Sequence, residues 1–229
     1  MTYITGDCHG EFTRIEEFCS KFQTTKYDYL IVLGDAGINY YGDCDNLLKE
    51  KLQSLPITLL CVYGNHEERP ENIKTYQEIK MFDGIVYQEE KYPNLIFLKD
   101  SEIYNINNKK VLVIGGAFSI NKDLMIEAGY KWFKDEQPSA EIRKQVLINL
   151  EKYSNQVDIV LSHTCPFKYL PFEKFHIGVD QDTVDQSLEH FLDKIEENIF
   201  YNDWYCGHFH TDKVVDKLNF MFEGFKIID

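Results

Sequence analysis

The apolar residues in the first third of the chain fall into three short runs, each followed by a glycine or a small polar residue. These runs are Met1–Ile4, Tyr29–Leu33 and Ile57–Tyr63. Short apolar runs that contain β-branched residues and end at glycine loops are typical of buried strands. The third run leads directly into Gly64-Asn65-His66-Glu67, so an amide and an imidazole follow the predicted end of that strand.

Helices are predicted between these strands from apolar residues three and four positions apart. Thr13 and Glu16 fit a capping box at the start of the first helix, and Pro56 stops the second. The apolar faces are Ile15, Phe18, Cys19 and Phe22 in the first helix, and Leu48, Leu52 and Leu55 in the second. The repeated order of strand, glycine loop and helix predicts a sheet built from βαβ units, whose ligands bind at the carboxyl ends of the strands.

Beyond the third strand, residues 73–81 fit a further helix, after which short runs favour antiparallel strands. These runs are Asn94–Leu98, Ile103–Ile106 and Val111–Ile114, and Asn107-Asn108 fits a tight turn between the last two. The fold therefore combines parallel and antiparallel pairing.

The rest of the chain alternates helices and strands with two loops rich in aromatic residues. Residues 120–138 and 167–180 form these loops, and we interpret the first as a lid or a substrate wall because it is longer than a connection needs. Further helices are predicted from Ser139 and over Thr183–Glu197, and further strands over Val157–Leu161, Ile199–Tyr205 and, as a closing pair, within Val214–Ile228.

Composition predicts one folded domain over residues 1–229. The chain is 44% hydrophobic and carries a formal charge of −14, which makes capture of duplex nucleic acid unlikely because that binding depends on Lys and Arg. Its apolar runs are too short to span a bilayer, and a strand beginning beside Met1 leaves no room for a signal peptide. A cytoplasmic location is expected.

The six cysteines favour reduced, mostly buried thiols. They include no Cys-x-x-Cys pair, which argues against a thiolate zinc site and against a disulfide scaffold.

Polar residues that can bind metal ions gather just past the predicted strands. Five of the seven histidines belong to this set. Its members are Asp7, His9, Asp35, Asn65, His66, His163, His208 and His210. Carboxylate, imidazole and amide oxygen are ligands for divalent ions such as manganese, iron and zinc. Each fragment alone is common, and only their combination and order point to a metal site.

In sequence order these fragments resemble the five motif blocks of the calcineurin-like metallophosphoesterase superfamily. The blocks are Asp7-x-His9, Gly34-Asp35, Gly64-Asn65-His66-Glu67, His163 and Gly207-His208-x-His210. The resemblance runs from Thr5 to His210. Gly115-Gly116-Ala117-Phe118-Ser119 with Trp132 looks like a subgroup of small bacterial and phage members.

The resemblance implies an α/β fold, a four-layer α/β/β/α sandwich of two mixed sheets flanked by helices. It also implies two divalent metal ions, for which manganese is favoured over iron, zinc or magnesium. By the same resemblance Asp7, His9 and His210 hold one ion, Asn65, His163 and His208 hold the other, and Asp35 bridges them.

The implied activity is hydrolysis of a phosphomonoester or phosphodiester by a metal-bound hydroxide, with His66 as proton donor to the leaving group. The expected substrate is a phosphorylated small molecule or a nucleotide-like compound. No substrate-binding residue is assigned. Oligomeric state, monoester or diester preference and the identity of the metal remain open.

The chain departs from serine/threonine protein phosphatases, which share this metal core, at their phosphate-binding arginines. Ala36-Gly37-Ile38 and Tyr63 occupy those positions, and Arg69 is the one arginine expected to reach a substrate. A protein phosphatase therefore stays an alternative, as does a non-catalytic metal-binding module.

Three further residues near the predicted site have open roles. Glu67 either orients His66 or a ligand, or is a solvated charge, and the second interpretation is preferred. His176 is a candidate substrate contact, whereas His190 is interpreted as a surface histidine.

Overall fold

The computed structural model describes residues 1–175 and 183–228. The predicted contact of His176 lies outside these ranges. Within the described ranges, no helix has both the length and the apolar character needed to cross a membrane.

The first sheet has seven strands in the order β13-β1-β2-β3-β6-β5-β4. Its members are β1 (Thr2–Thr5), β2 (Tyr29–Val32), β3 (Thr58–Cys61), β4 (Tyr76–Met81), β5 (Gly84–Glu89), β6 (Leu95–Leu98) and β13 (Lys226–Ile227). The central strands β1, β2, β3 and β6 are parallel, as the βαβ pattern predicts, and the outer pairings are antiparallel.

The second sheet has six strands in the order β11-β12-β10-β9-β8-β7. They are β7 (Ile103–Ile106), β8 (Lys109–Ile114), β9 (Ile159–Ser162), β10 (Asp203–Cys206), β11 (Lys213–Val215) and β12 (Leu218–Phe220). Parallel pairing joins β8, β9, β10 and β12, so the ends of β9 and β10 lie side by side. Asn107 and Asn108 form the predicted tight turn, both with positive φ.

The two sheets pack face to face between two layers of helices. The helices are α1 (Thr13–Phe22), α2 (Asn46–Ser54), α3 (Lys122–Glu127), α4 (Ala140–Lys152) and α5 (Ser187–Asn198). Ile31 and Leu60 of the first sheet share a core with Val113 and Leu161 of the second. Residues of α1 and α2 cover the outer face of the first sheet, while α4 and α5 cover that of the second. The α/β/β/α sandwich of two mixed sheets is confirmed.

The helix expected over residues 73–81 is wrong, because this segment contains strand β4. Ile73, Tyr76 and Ile79 are three residues apart, which suits a helix, but β4 pairs along its whole length with β5. Phe82 and Asp83 make the tight turn between the two strands with φ of 53° and 65°. Tertiary pairing thus overrides the local pattern.

Smaller expectations about helix ends also need correction. The first helix has Phe12 at its N-cap and no side-chain cap, so Thr13 and Glu16 form no capping box, and Phe22 is 51% exposed. By contrast, Ser139 caps α4 as predicted, because its side chain accepts a hydrogen bond from the Ile142 N–H. The loop predicted over residues 120–138 contains helix α3.

Candidate metal centre

The predicted site residues follow the carboxyl ends of five strands, three in the first sheet and two in the second. Asp7, Asp35 and Asn65 come after β1, β2 and β3, while His163 and His208 come after β9 and β10. Since these strands run parallel within each sheet, the two sheets direct their polar loops to one edge of the sandwich.

The backbone of these loops is held in unusual conformations. His9, Asp35, His208 and His210 all have positive φ, between 47° and 65°. Such values are uncommon for residues other than glycine and cluster at functional sites, where the surrounding fold must hold them.

Glycine allows two of the loops to approach each other closely. A Cβ atom at Gly34 would lie 2.1 Å from Nδ1 of His163, and one at Gly207 would lie 2.3 Å from Oδ1 of Asp7. Any larger residue at these two positions would displace a predicted ligand.

One cluster of possible ligand atoms joins Asp7, His9 and His210. The Nε2 atoms of His9 and His210 are 2.9 Å apart. Oδ2 of Asp7 lies 3.8 Å from Nε2 of His9 and 3.4 Å from Nε2 of His210. These three atoms surround a common point at the rim of the site, where both imidazoles are exposed.

A second, buried cluster surrounds Asp35 and His163. Nε2 of His163 lies 3.5 Å from Oδ2 of Asp35 and 2.9 Å from Oδ1 of Asn65. Its Nδ1 lies 2.7 Å from the carbonyl oxygen of Leu33, which orients the ring so that Nε2 faces the site. Asp7 also approaches this cluster, so its carboxylate is shared by both groups.

Two site residues use their backbone N–H groups to fix the carboxylates. His66 donates to Oδ1 of Asp35 at 2.8 Å, and His208 donates to Oδ1 of Asp7 at 2.9 Å. The ring of His208 lies against that of His163, with centroids 5.0 Å apart, and the ring of His66 lies 5.9 Å from that of His9. Each carboxylate is therefore left with Oδ2 directed at imidazole nitrogens.

Burial and neighbouring charge set the protonation of the buried cluster. Burial raises the pKa of Asp35, but the charge and hydrogen bond of His163, together with His66 and His9, outweigh it and hold that pKa well below its usual range. Burial lowers the pKa of His163, and the Asp35 carboxylate more than offsets this, raising it to about 9. Burial and the like charge of His163 lower the pKa of His208 to about 3.

These residues fit divalent metal ions. Oδ2 of Asp7 is buried and accepts no hydrogen bond within the described chain, although imidazole nitrogens face it. Such an orphaned acidic oxygen is costly unless a cation or a proton satisfies it. Oxygen and nitrogen donors without thiolate suit manganese, iron, zinc or magnesium more than softer ions.

Ser119 supports Asn65, a role that was not predicted from the sequence. Nδ2 of Asn65 donates to Oγ of Ser119 at 2.8 Å, which turns the amide oxygen toward His163. Glu136 lies beside Ser119 and accepts a hydrogen bond from Nε1 of Trp132 at 2.8 Å. The only sequence signal was that Ser119 closes a glycine-rich run after a strand.

We expect Ser119→Ala to weaken metal binding, because the Asn65 amide loses the partner that orients it. Loss of such a supporting contact typically reduces metal affinity about 10-fold or more. Titration of the metal-free protein with Mn²⁺, followed by calorimetry, measures the change. Ser20→Ala on the exposed face of α1 is the matched control. Equal affinities in both variants would contradict the role of Ser119.

Arg14 holds the loop that carries Asp7. Its guanidinium donates to the carbonyl oxygens of Gly6 at 3.0 Å and Asp7 at 2.6 Å, and also contacts the Thr5 hydroxyl. The sequence offered no indication of this role, since Arg14 lies on a helix that appeared only amphipathic.

Two sequence interpretations near the site are wrong. Glu67 is fully buried and accepts a hydrogen bond from the Gly64 N–H at 2.9 Å, so it braces the loop of Asn65 and is not a solvated charge; burial raises its pKa to about 8. Arg69 is buried in an ion pair with Asp100, at 2.7 Å, and stacks on Tyr63, so it points away from any substrate.

A cavity of about 700 Å³ opens from the clustered ligands. His66 lines it beside His9 and His210, whereas none of the three arginines does. Lys174 is the one lysine or arginine among the described residues that line it. Ile120 and Leu124, from the loop expected to wall the substrate, form part of its apolar side together with Phe118.

Comparisons with known proteins identify a family for this chain. Residues 2–212 match the family described as calcineurin-like phosphoesterase. Among solved structures, the crystal structure of a phosphopantetheinyl hydrolase from Mycobacterium tuberculosis is similar, with 11% identity and a TM-score of 0.46; the match covers 96% of this chain and 87% of that one. No curated protein sequence matches the chain.

Proposed function

Because the chain belongs to the calcineurin-like phosphoesterase family, we propose that it hydrolyses phosphomonoester or phosphodiester bonds of a phosphorylated small molecule or nucleotide-like compound. Family membership makes it a metal-dependent phosphoester hydrolase. The proposal treats residues 1–229 as one catalytic domain.

The observation that carries the proposal is the pair of ligand clusters at one end of a cavity, with Asp7 and Asp35 directed at imidazoles from both sheets. Asp7, His9 and His210 would hold one divalent ion, and Asn65, His163 and His208 the other, with Asp35 between them. When bound, the two ions would supply a nucleophile from water at neutral pH and stabilise the phosphoryl oxygens.

His66 is the proposed proton donor. Its imidazole is half-buried and lines the cavity, while its backbone N–H is tied to Asp35. It therefore borders the ligand clusters without belonging to them. A proton delivered to the departing oxygen accelerates cleavage most when that oxygen is a poor leaving group.

A protein phosphatase activity has less support than hydrolysis of a small molecule. Arg69 is engaged by Asp100 and Tyr63, Arg14 binds backbone carbonyls, and Arg143 binds Pro138 and Ser187. Among the described residues that line the cavity there is no arginine that could form a bidentate hydrogen bond with a phosphate. The ions and Lys174 would hold the substrate's charge.

We expect Lys174→Gln to raise KM for an anionic phosphoester about threefold at low ionic strength, with a smaller change in kcat, because the cavity loses a screened positive charge. The difference should shrink as salt is added. Steady-state kinetics at two salt concentrations measure it, with exposed Lys144→Gln on α4 as the control. An equal KM in Lys174→Gln and the wild-type protein would contradict a contact between Lys174 and the substrate.

The proposed function is tested with 4-nitrophenyl phosphate and bis(4-nitrophenyl) phosphate, which represent the two ester classes. We expect the protein loaded with Mn²⁺ to hydrolyse at least one of them, and chelation to abolish the activity. Full metal loading without turnover of either ester would favour a non-catalytic module.

A further inference from the structure

We propose that Glu189 recognises the substrate by accepting a hydrogen bond from an N–H or O–H group on an otherwise apolar leaving group. This inference rests on the proposed phosphoesterase function and specifies the class of ester that the cavity selects.

Glu189 is a buried acid among the residues that line the cavity, and one of its carboxylate oxygens has no hydrogen-bond partner in the described chain. It lies in the first turn of α5, is 6% exposed and lines the cavity. Its Oε1 accepts a hydrogen bond from the Thr164 hydroxyl at 2.8 Å, whereas Oε2 is buried and has no hydrogen-bond partner in the described chain. An acidic oxygen removed from water in this way is destabilising unless something donates to it.

The neighbouring charges do not satisfy this oxygen. Arg143, the nearby cation, donates to the carbonyl oxygens of Pro138 and Ser187 and to the side chain of Gln137. No ion pair within 4.0 Å joins Glu189 to a lysine, arginine or histidine in the described ranges. Asp185 adds a further negative charge in its surroundings. A donor from outside the chain would complete the site.

Glu189 is distinct from the metal ligands but shares their cavity. Its partner Thr164 directly follows His163, so the acid is anchored beside the ligand loop through a residue that is not itself a predicted ligand. A molecule with its phosphoryl group at the metal end would extend its leaving group along the same cavity, where Glu189 forms part of the wall.

The walls of this cavity are largely apolar. They include Phe118, Ile120, Leu124, Leu170, Phe175 and Phe209. Such surfaces favour an aromatic or aliphatic body, because burying it releases water from both partners. Within such walls, one unpaired acceptor favours a substrate that carries an N–H or O–H donor over one that does not. A substrate without the donor leaves Oε2 unpaired.

The matched esters 6-(hydroxymethyl)-2-naphthyl phosphate and 6-ethyl-2-naphthyl phosphate test the inference, because they differ mainly in one hydroxyl. In the protein loaded with Mn²⁺, the ratio of their kcat/KM values should favour the hydroxymethyl ester. Glu189→Met should lower that ratio about 10-fold, the effect of one hydrogen bond to a charged group. Glu197→Met, at an exposed position of the same helix, should leave it unchanged.

A second variant and a binding measurement separate recognition from folding. Glu189→Gln keeps the volume and a partner for Thr164 but places an NH2 group where Oε2 lies. It should lower the ratio about threefold, because this group offers the substrate hydroxyl only a neutral hydrogen bond, in which the hydroxyl accepts. Calorimetry with 6-(hydroxymethyl)-2-naphthol and 6-ethyl-2-naphthol should show the same loss of preference without turnover. Unchanged ratios and binding preferences in the folded variants would overturn the inference. Failure of the wild-type protein to hydrolyse these esters, 4-nitrophenyl phosphate and bis(4-nitrophenyl) phosphate would instead contradict the proposed function itself.

Discussion

Asp35→Asn should bind fewer than two Mn²⁺ ions per chain and lose at least about 10³-fold in kcat/KM. Asp35 is 1% exposed, and its Oδ2 lies 3.5 Å from Nε2 of His163 and 4.0 Å from Nε2 of His9. Its carboxylate therefore faces members of both proposed ligand groups. A neutral amide of the same shape removes the charge that would offset two adjacent cations.

The measurement is elemental analysis after gel filtration, combined with hydrolysis of 4-nitrophenyl phosphate. Asparagine tolerates the φ of 47° at position 35, so the fold should persist. Asp216→Asn is a matched control, because Asp216 is exposed and also has a positive φ of 55°. Two bound ions and full activity in Asp35→Asn would contradict a bridging role.

His66→Asn should keep both metal ions but lose about 10²-fold in kcat or more on an ester with a poor leaving group. Its ring lines the cavity next to His9, with centroids 5.9 Å apart, so its removal takes away a proton donor without removing a proposed ligand. Because 4-nitrophenolate leaves readily without a proton, the loss should be smaller for 4-nitrophenyl phosphate than for phenyl phosphate.

The dependence on leaving group separates proton donation from a general disturbance of the site. His190→Asn is the control, since His190 is exposed on α5 and stacks on Phe167. Equal losses on both esters, or loss of metal together with activity, would refute the assignment of His66 as the proton donor.

The apolar pattern predicted the central parallel strands because they are continuous apolar runs, whereas their arrangement in a sandwich of two sheets was implied by the resemblance to a known family. Residues 29–33 and 57–63 are buried on both faces and read as strands from composition alone. The edge strand β4 was missed because it is mostly exposed, and its conformation depends on pairing with β5 rather than on its own pattern. A solvent-facing edge carries little hydrophobic signal.

The candidate ligands were predictable because they follow strand ends in a recognisable order. Supporting residues were harder to find, since their roles depend on contacts between distant segments. Ser119 is 54 residues from Asn65 in the sequence. Glu67 was interpreted as a surface charge from the sequence, but it is buried in the structure. Glu189 lies three residues before buried Leu192, on the same side of the helix, which was the one available sign of its burial.

The most direct test of the account titrates the metal-free protein with Mn²⁺ while metal binding and phosphoester hydrolysis are followed in the same sample. Both aryl esters, 4-nitrophenyl phosphate and bis(4-nitrophenyl) phosphate, serve as substrates. The account predicts no hydrolysis without metal, and activity that reaches its maximum as two ions per chain are bound. Hydrolysis at the same rate by the metal-free protein, or two bound ions with neither ester cleaved, would contradict it.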